Sequence, residues 1–204
     1  VSVSTQYCTV SDVKAGSNIT DSSLDAEISG IIDDVSRAID DKTASRFYPD
    51  NDANQVRYFL PENTGRADIF PLNTFTSLTT FLDPTDQWQL GTDFYLEPLN
   101  APADGAPWTA LRTIARPFLF SKAEIPQGWA ALDGRITITG NWGWPSTPGP
   151  VHRACVLQSR RIFGRRNTPM GYEMGSIETG GMRVPRLDPD VEALLEPYVL
   201  TWFA

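Results

Sequence analysis

Between residues 22 and 44 apolar side chains return at helical spacing: Leu24, Ile28, Ile31, Ile32, Val35, Ala38 and Ile39. The pattern predicts a helix over 22–44. Asp21 or Ser22 stands where a cap would accept from the first free amides, and Asp25 and Glu27 complement the positive end of the helix dipole. A shorter helix is predicted over 9–16, with Thr9 as cap, Val10 and Val13 as its apolar side and Gly16 as its end. After Pro150 the helical pattern resumes over 151–166, with Val151, Ala154, Cys155, Leu157, Ile162 and Phe163 as its apolar positions. A last helix follows Asp188, with Pro189 in the first position, where a missing amide costs nothing, and a stripe of Val191, Leu194, Leu195 and Tyr198.

Between the second and third of these helices, at about 56–140, the texture is that of short strands separated by turn residues. Strands are predicted at 56–60, 67–70, 75–82, 93–97, 109–114 and 135–139. Residues 100–107 read as an exposed loop, and 116–134 as a long excursion or one more irregular strand. Residues 167–186, glycine-containing and weakly patterned, read as a flexible arm. The expected fold is α+β: a small helical bundle with an antiparallel β subdomain inserted between the second and third helices, plus a C-terminal arm and helix. The expected division is a core at 1–166 and an arm with its docking helix at 167–204.

Composition narrows the chemistry. The chain has 204 residues and a formal net charge of −8, which argues against a protein that grips nucleic acid through its phosphates. Repulsion is useful, however, where a duplex must slide past a surface. His152 is the only histidine, and the two cysteines, Cys8 and Cys155, are far apart, so no zinc motif exists. Nothing marks the chain as secreted, so both cysteines are expected as reduced, mostly buried thiols. The opening Val-Ser-Val-Ser-Thr-Gln-Tyr is neither a basic nor an apolar leader, and no apolar run approaches the roughly 20 residues that span a bilayer. No phosphate loop, nucleophile elbow or metal motif appears, and no cofactor is expected. The chain is therefore expected not to be an enzyme.

Several stretches resemble the head–tail connector (adaptor) family of long-tailed double-stranded DNA bacteriophages. Val10-Ser11-Asp12-Val13-Lys14 is similar to the family's first short helix. Ser36-Arg37-Ala38-Ile39-Asp40, followed by Ser45-Arg46-Phe47, resembles the end of its long helix, and Thr92-Asp93-Phe94-Tyr95-Leu96 resembles an aspartate–aromatic strand. The fullest likeness runs from Ile136 to Arg166. There a strand enters Gly140-Asn141-Trp142-Gly143-Trp144-Pro145, then a proline-bounded turn, then Val151-His152-Arg153-Ala154-Cys155 and an arginine-rich helix end. The β region is longer than a minimal member needs. The resemblance implies a virion protein of the phage neck, made in the host bacterial cytoplasm. It implies a ring, commonly of twelve copies, seated on the portal protein and joined to a downstream neck or tail-completion protein. Packaged DNA would pass through without sequence-specific binding, and no membrane would be involved.

Candidate surfaces follow. Arg160, Arg161, Arg165 and Arg166 form the one dense basic cluster. They read as a docking surface for an acidic partner or as a solvated helix end, with DNA contact third. Leu194, Leu195, Tyr198, Trp202 and Phe203 read as an apolar anchor that docks on the portal or a neighbouring copy, or as a tail folded onto its own core. Asp33, Asp34, Asp40 and Asp41 are candidates for lining a DNA channel. As neighbours on a helix they point about 100° apart, so they do not converge as catalytic pairs. Trp142 and Trp144 flank Gly143 and suit a strand-to-helix corner better than an aromatic platform. Two readings from other classes stand beside the connector: a phage-encoded carbohydrate-binding module using the β region, and a hydrolase using scattered carboxylates.

Overall fold

The structure, a computed structural model, describes residues 4–15, 20–81, 83–118, 135–166, 172–173, 182–183 and 187–200. The chain divides into two compact units: Tyr48–Ser146, and Ser4–Phe47 together with Thr147–Ala204. The first holds β1 (Gln55–Phe59), β2 (Arg66–Thr80), β3 (Phe94–Glu97), β4 (Trp108–Thr113) and β5 (Ile136–Trp142). The second holds α1 (Val10–Lys14), α2 (Asp25–Thr43), α3 (Gly149–Gly164), a two-residue pairing of β6 (Tyr172–Glu173) with β7 (Met182–Arg183), and α4 (Pro189–Leu195). The expected α+β class, with the sheet inserted between the second and third helices, is what the structure has.

The β unit is one antiparallel sheet in the order β1-β5-β2-β4-β3. The two strands expected at 67–70 and 75–82 are a single long strand, β2. Its first half pairs with β4 and its second with β5, and the register shifts between Asp68 and Leu72. Pro71 explains the misreading. It cannot donate to a ladder, so the strand continues only through an irregularity there. Alternate residues of the sheet build a core from Ile69, Leu72, Leu78, Phe94, Leu111, Ile136, Ile138 and Trp142. Residues 119–134, read as an excursion or a hidden strand, lie outside the described residues.

The Gly140–Gly143 stretch is a close-packed corner. A Cβ on Gly140 would sit 2.3 Å from the carbonyl oxygen of Thr74, and one on Gly143 would sit 2.1 Å from that of Tyr48. Gly143 also has φ +101°, a region that side-chain-bearing residues avoid. Between the glycines, the Asn141 amide donates to the carbonyls of Asp50 and Asp52, and the Trp142 indole N–H donates to Gln55 O at 3.0 Å. Trp142 is fully buried, so the expected structural role for this tryptophan holds.

In the helical unit, Thr9 caps α1 as expected, in a reciprocal box with Asp12. Neither Asp21 nor Ser22 caps α2. Asp21 is turned to Ser23, and the helix starts after Leu24 with no side-chain cap. α2 buries Ile28, Ile32, Val35, Ser36, Ile39 and Thr43, and Ala44 ends it in the left-handed conformation at φ 52°. α3 begins two residues before its expected start because Pro150 is tolerated in a first turn. Its buried face is Val151, Ala154, Cys155, Val156, Gln158, Ser159 and Phe163, while Ile162 is exposed. The apolar stripe is thus interrupted by two polar residues that have partners: Gln158 accepts from the amide of Asp188, and Ser159 lies beside Cys155. Both cysteines are free and buried, as expected. α4 packs against α3 in this unit and buries Val191 and Leu195, with Asp188 as its cap and Pro189 in its first turn. Most of 167–186 lies outside the described residues.

Two backbone substitutions test this account. Gly143→Ala meets both the Tyr48 carbonyl and an unfavourable φ, and should destabilise the chain by about 2–4 kcal/mol. Ala44→Gly removes a left-handed penalty and should stabilise by about 0.5–1 kcal/mol. Denaturant unfolding of the two variants beside the parent measures both signs.

Candidate functional site

The four arginines at the end of α3 leave the helix in different directions. Arg160 reaches back to α1, where its Nε donates to Val13 O at 3.0 Å and its Nη2 to Asp12 O at 2.5 Å. A guanidinium at these carbonyls also meets the negative end of the α1 dipole. Arg161 pairs with Asp188, the cap of α4. Arg166 donates to Phe163 O, with its guanidinium carbon 4.0 Å from the Phe163 ring centroid. Arg165 buries Nε and Nη2 with no hydrogen-bond partner among the described residues. Arg160 and Arg161 therefore hold elements of their own unit together.

The acids of α2 divide in the same way. Asp33, Asp34 and Asp41 are exposed. Asp40 is drawn inward: it accepts from the Tyr7 hydroxyl and pairs with Arg37 at 3.1 Å. Burial raises its carboxyl above the ordinary aspartate value, against the opposing pull of the Tyr7 hydrogen bond. The Tyr7 hydroxyl in turn accepts from the Phe47 amide at 3.0 Å, and its ring meets Phe47 edge-on. Asp40 thus takes part in the packing of this unit, unlike its three exposed neighbours.

Of the C-terminal candidates, Leu195 is fully buried, Leu194 and Tyr198 are half-buried, and Tyr198 meets the ring of Phe47 edge-on. Leu200 donates its amide to Thr43 O at 3.0 Å, at the end of α2. Leu195 is a core residue of the helical unit, so it is not available as an anchor in this arrangement. Trp202 and Phe203 lie outside the described residues.

In the β unit, two features went unread in the sequence. One is a network around Arg116, which pairs with Asp86 and, through two nitrogens at 2.9 and 3.0 Å, with Asp93. Its guanidinium also lies over Trp88, which stacks on Phe118. The Arg116 hydrogen bonds, with the Gln89 amide, hold the Asp93 carboxyl below its usual range. The aspartate–aromatic pattern at 92–96 was the visible signal, but its partner lies 23 residues on. The other is the outer strand β1, which leaves Val56 and Tyr58 exposed, with Leu60 just beyond at 63%. Trp142 cannot offer an aromatic face to a sugar, because it is enclosed. Among the described residues there is no cluster of His, Cys, Asp or Glu fit to hold a metal, and no helix is long and apolar enough to cross a membrane.

No protein-family model matches the sequence, and comparison with curated proteins gives no match. Solved structures do match. A chain in the neck of an empty GTA particle, computed with C6 symmetry, aligns over 94% of this chain and 89% of its own, at 15% identity and a TM-score of 0.53. These two chains share a fold. A chain in the neck of a native GTA particle, computed with C12 symmetry, aligns over 87% and 84% at 17% identity and a TM-score of 0.47. A chain in the virion of a native gene transfer agent particle aligns over 87% and 78%, at 17% and 0.40. The fold kinship rests on the first.

Two predictions follow from the helical unit. Arg160→Ala should lower its stability by about 1–3 kcal/mol, since it removes charge-assisted bonds to two carbonyls, whereas Asp34→Ala should stay within about 0.5 kcal/mol. Thermal unfolding of both variants checks this. The second concerns pH. Thr9's hydroxyl and amide, and then His152, hold the Asp12 carboxyl below its ordinary value. A depressed carboxyl contributes stability that is present above the unfolded value of about 3.9 and lost as pH falls through the folded one. Asp12→Ala should therefore cost about 0.5–1 kcal/mol at pH 6, the range of an exposed cap. The difference should vanish in acid, as read from denaturant midpoints across pH.

Proposed function

We propose that this chain is a structural, non-catalytic protein of the neck of a tailed-phage-like particle. It forms a ring that joins the portal to the next neck or tail component and extends the DNA channel. One observation carries the reading: a chain in the neck of a GTA particle shares this fold, with 94% of this chain and 89% of that one aligned. The sixfold symmetry applied to that neck suits a ring of six or twelve copies, and twelve is the number that the connector resemblance implies.

The residues that remain free for such a role are fewer than the sequence suggested. Asp33, Asp34 and Asp41 are exposed on α2, and we assign them to the channel, where like charge keeps a duplex from adhering. Arg166, which is exposed, and the apolar pair Trp202 and Phe203 are assigned to contacts with the portal or a neighbouring copy. Leaving two large aromatic side chains in water forfeits roughly 1.5–3 kcal/mol each.

The decisive experiment mixes the purified chain with its portal and examines the product by electron microscopy and sedimentation. Rings stacked coaxially on the portal are expected. A chain that stays monomeric and fails to bind the portal at micromolar concentration overturns the reading. The variant Trp202→Ser with Phe203→Ser should lose portal binding by tenfold or more while its melting transition stays unchanged. Removal of all of 188–204 would not separate the two effects, because it also takes Val191 and Leu195 out of the core.

A further inference from the structure

Cys8 and Cys155 are 147 residues apart in sequence, yet their sulfurs are 3.3 Å apart in the helical unit. Cys8 lies in the segment just before α1, and Cys155 lies on the buried face of α3. The Cys8 thiol donates to the Cys155 sulfur. The Ser36 hydroxyl is 3.7 Å from that sulfur and the Ser159 hydroxyl 4.0 Å, and the Tyr7 amide donates to Ser36 at 3.2 Å. Polar groups thus gather around one sulfur of the pair. The hydrogen bond from Cys8, then those of Ser36 and Ser159, favour proton loss from Cys155 against burial, while the same Cys8–Cys155 bond and burial keep the proton on Cys8.

We propose that Cys8 and Cys155 are a site of reversible oxidation, where the free thiols close into a disulfide when the protein meets a peroxide. The sulfurs need to approach by only about 1.2 Å to reach bonding distance, and no other cysteine competes. The chemistry balances in two steps. The Cys155 thiolate attacks one peroxide oxygen, the O–O bond breaks, and the departing hydroxide takes up a proton to leave as water; Cys155 becomes a sulfenic acid. The Cys8 sulfur then attacks the sulfenic sulfur, its proton joins the departing hydroxide, and a second water leaves. The two sulfurs lose two electrons, and the peroxide gains them. Both thiols are enclosed, so the oxidant reaches them through local opening of the helical unit.

The bond would clasp the N-terminal segment to α3 and close a loop over most of the chain. In a reducing cytoplasm the thiols stay free, and exposure to an oxidising medium closes them. The pair's chemistry is independent of the neck reading; only the setting, a particle released from its host, rests on it.

The test uses the full chain, reduced with dithiothreitol, freed of it, and treated with hydrogen peroxide or, separately, diamide. The expected product is a monomer lighter by two hydrogens, with no thiol titratable after denaturation and a cross-linked peptide pair containing Cys8 and Cys155. Its melting midpoint should rise by on the order of 10 °C and return on reduction. Cys8→Ser should give no cross-link and should retain sulfenic or sulfinic acid on Cys155. Two thiols still titratable after hours with both oxidants would overturn the proposal. So would sulfinic acids formed separately on the two cysteines, or cross-links only between chains. Ring formation by the oxidised and reduced protein is a separate measurement, so failure of the neck reading leaves this result standing.

Discussion

At Gly143 the backbone passes so close to the carbonyl of Tyr48 that no side chain fits between them. Much of the β unit is arranged around that approach. The Gly143 amide donates to Pro71 O, at the point where β2 breaks its register, and the Trp142 carbonyl accepts from the amide of Asp50. One corner thus fixes the start of the unit, the bend of its longest strand and the end of its last strand. The indole of Trp142 fills the space below, near Phe59 and under the guanidinium of Arg57. The apolar side chains around the corner could be exchanged with modest loss, whereas the two glycines have no substitute, because the obstruction is main chain.

The helical unit is organised by α3, against which α1, α2 and α4 all pack. Its polar residues serve this arrangement. Arg160 donates to two carbonyls of α1, Arg161 meets the cap of α4, and Gln158 receives the amide of the same residue. A run of arginines at a helix end looks like a surface for another molecule. Here half of it is consumed internally, because short helices expose backbone groups that a long side chain from a neighbour can satisfy.

The elements were readable in the sequence where one rule acted alone. The Thr9 cap and the Asp188-Pro189 start depend on neighbours within a turn and appear as expected, and the α2 stripe is buried at Ile28, Ile32, Val35 and Ile39, although Ala38 is exposed. The reading failed where a distant partner decided. Pro71 seemed to separate two strands, but β4 and β5 hold both sides of it in one strand. Asp40 looked like its neighbour Asp41 until Tyr7, 33 residues earlier, claimed it. Leu195 and Leu194 were indistinguishable as apolar positions, and only packing on α3 makes one of them core. The candidate surfaces suffered most, since a residue is free for a partner only if nothing in its own chain has already taken it.

The helical unit is made of two separated stretches, and they meet where the chain leaves and returns: the Thr147 hydroxyl donates to Phe47 O at 3.0 Å across 100 residues. This sets an order of events during folding. The β unit is continuous in sequence and can collapse by itself, which brings its two ends together, as the bridge between Pro49 and Gly143 records. Until then α2 and α3 are tethered by a long loose loop, and their contact carries the full entropy of closing it. Once the sheet has formed, the loop is effectively a few residues long. The inserted sheet should therefore act as a template, and the helices should assemble after it, at a rate limited by the sheet and not by their own propensities.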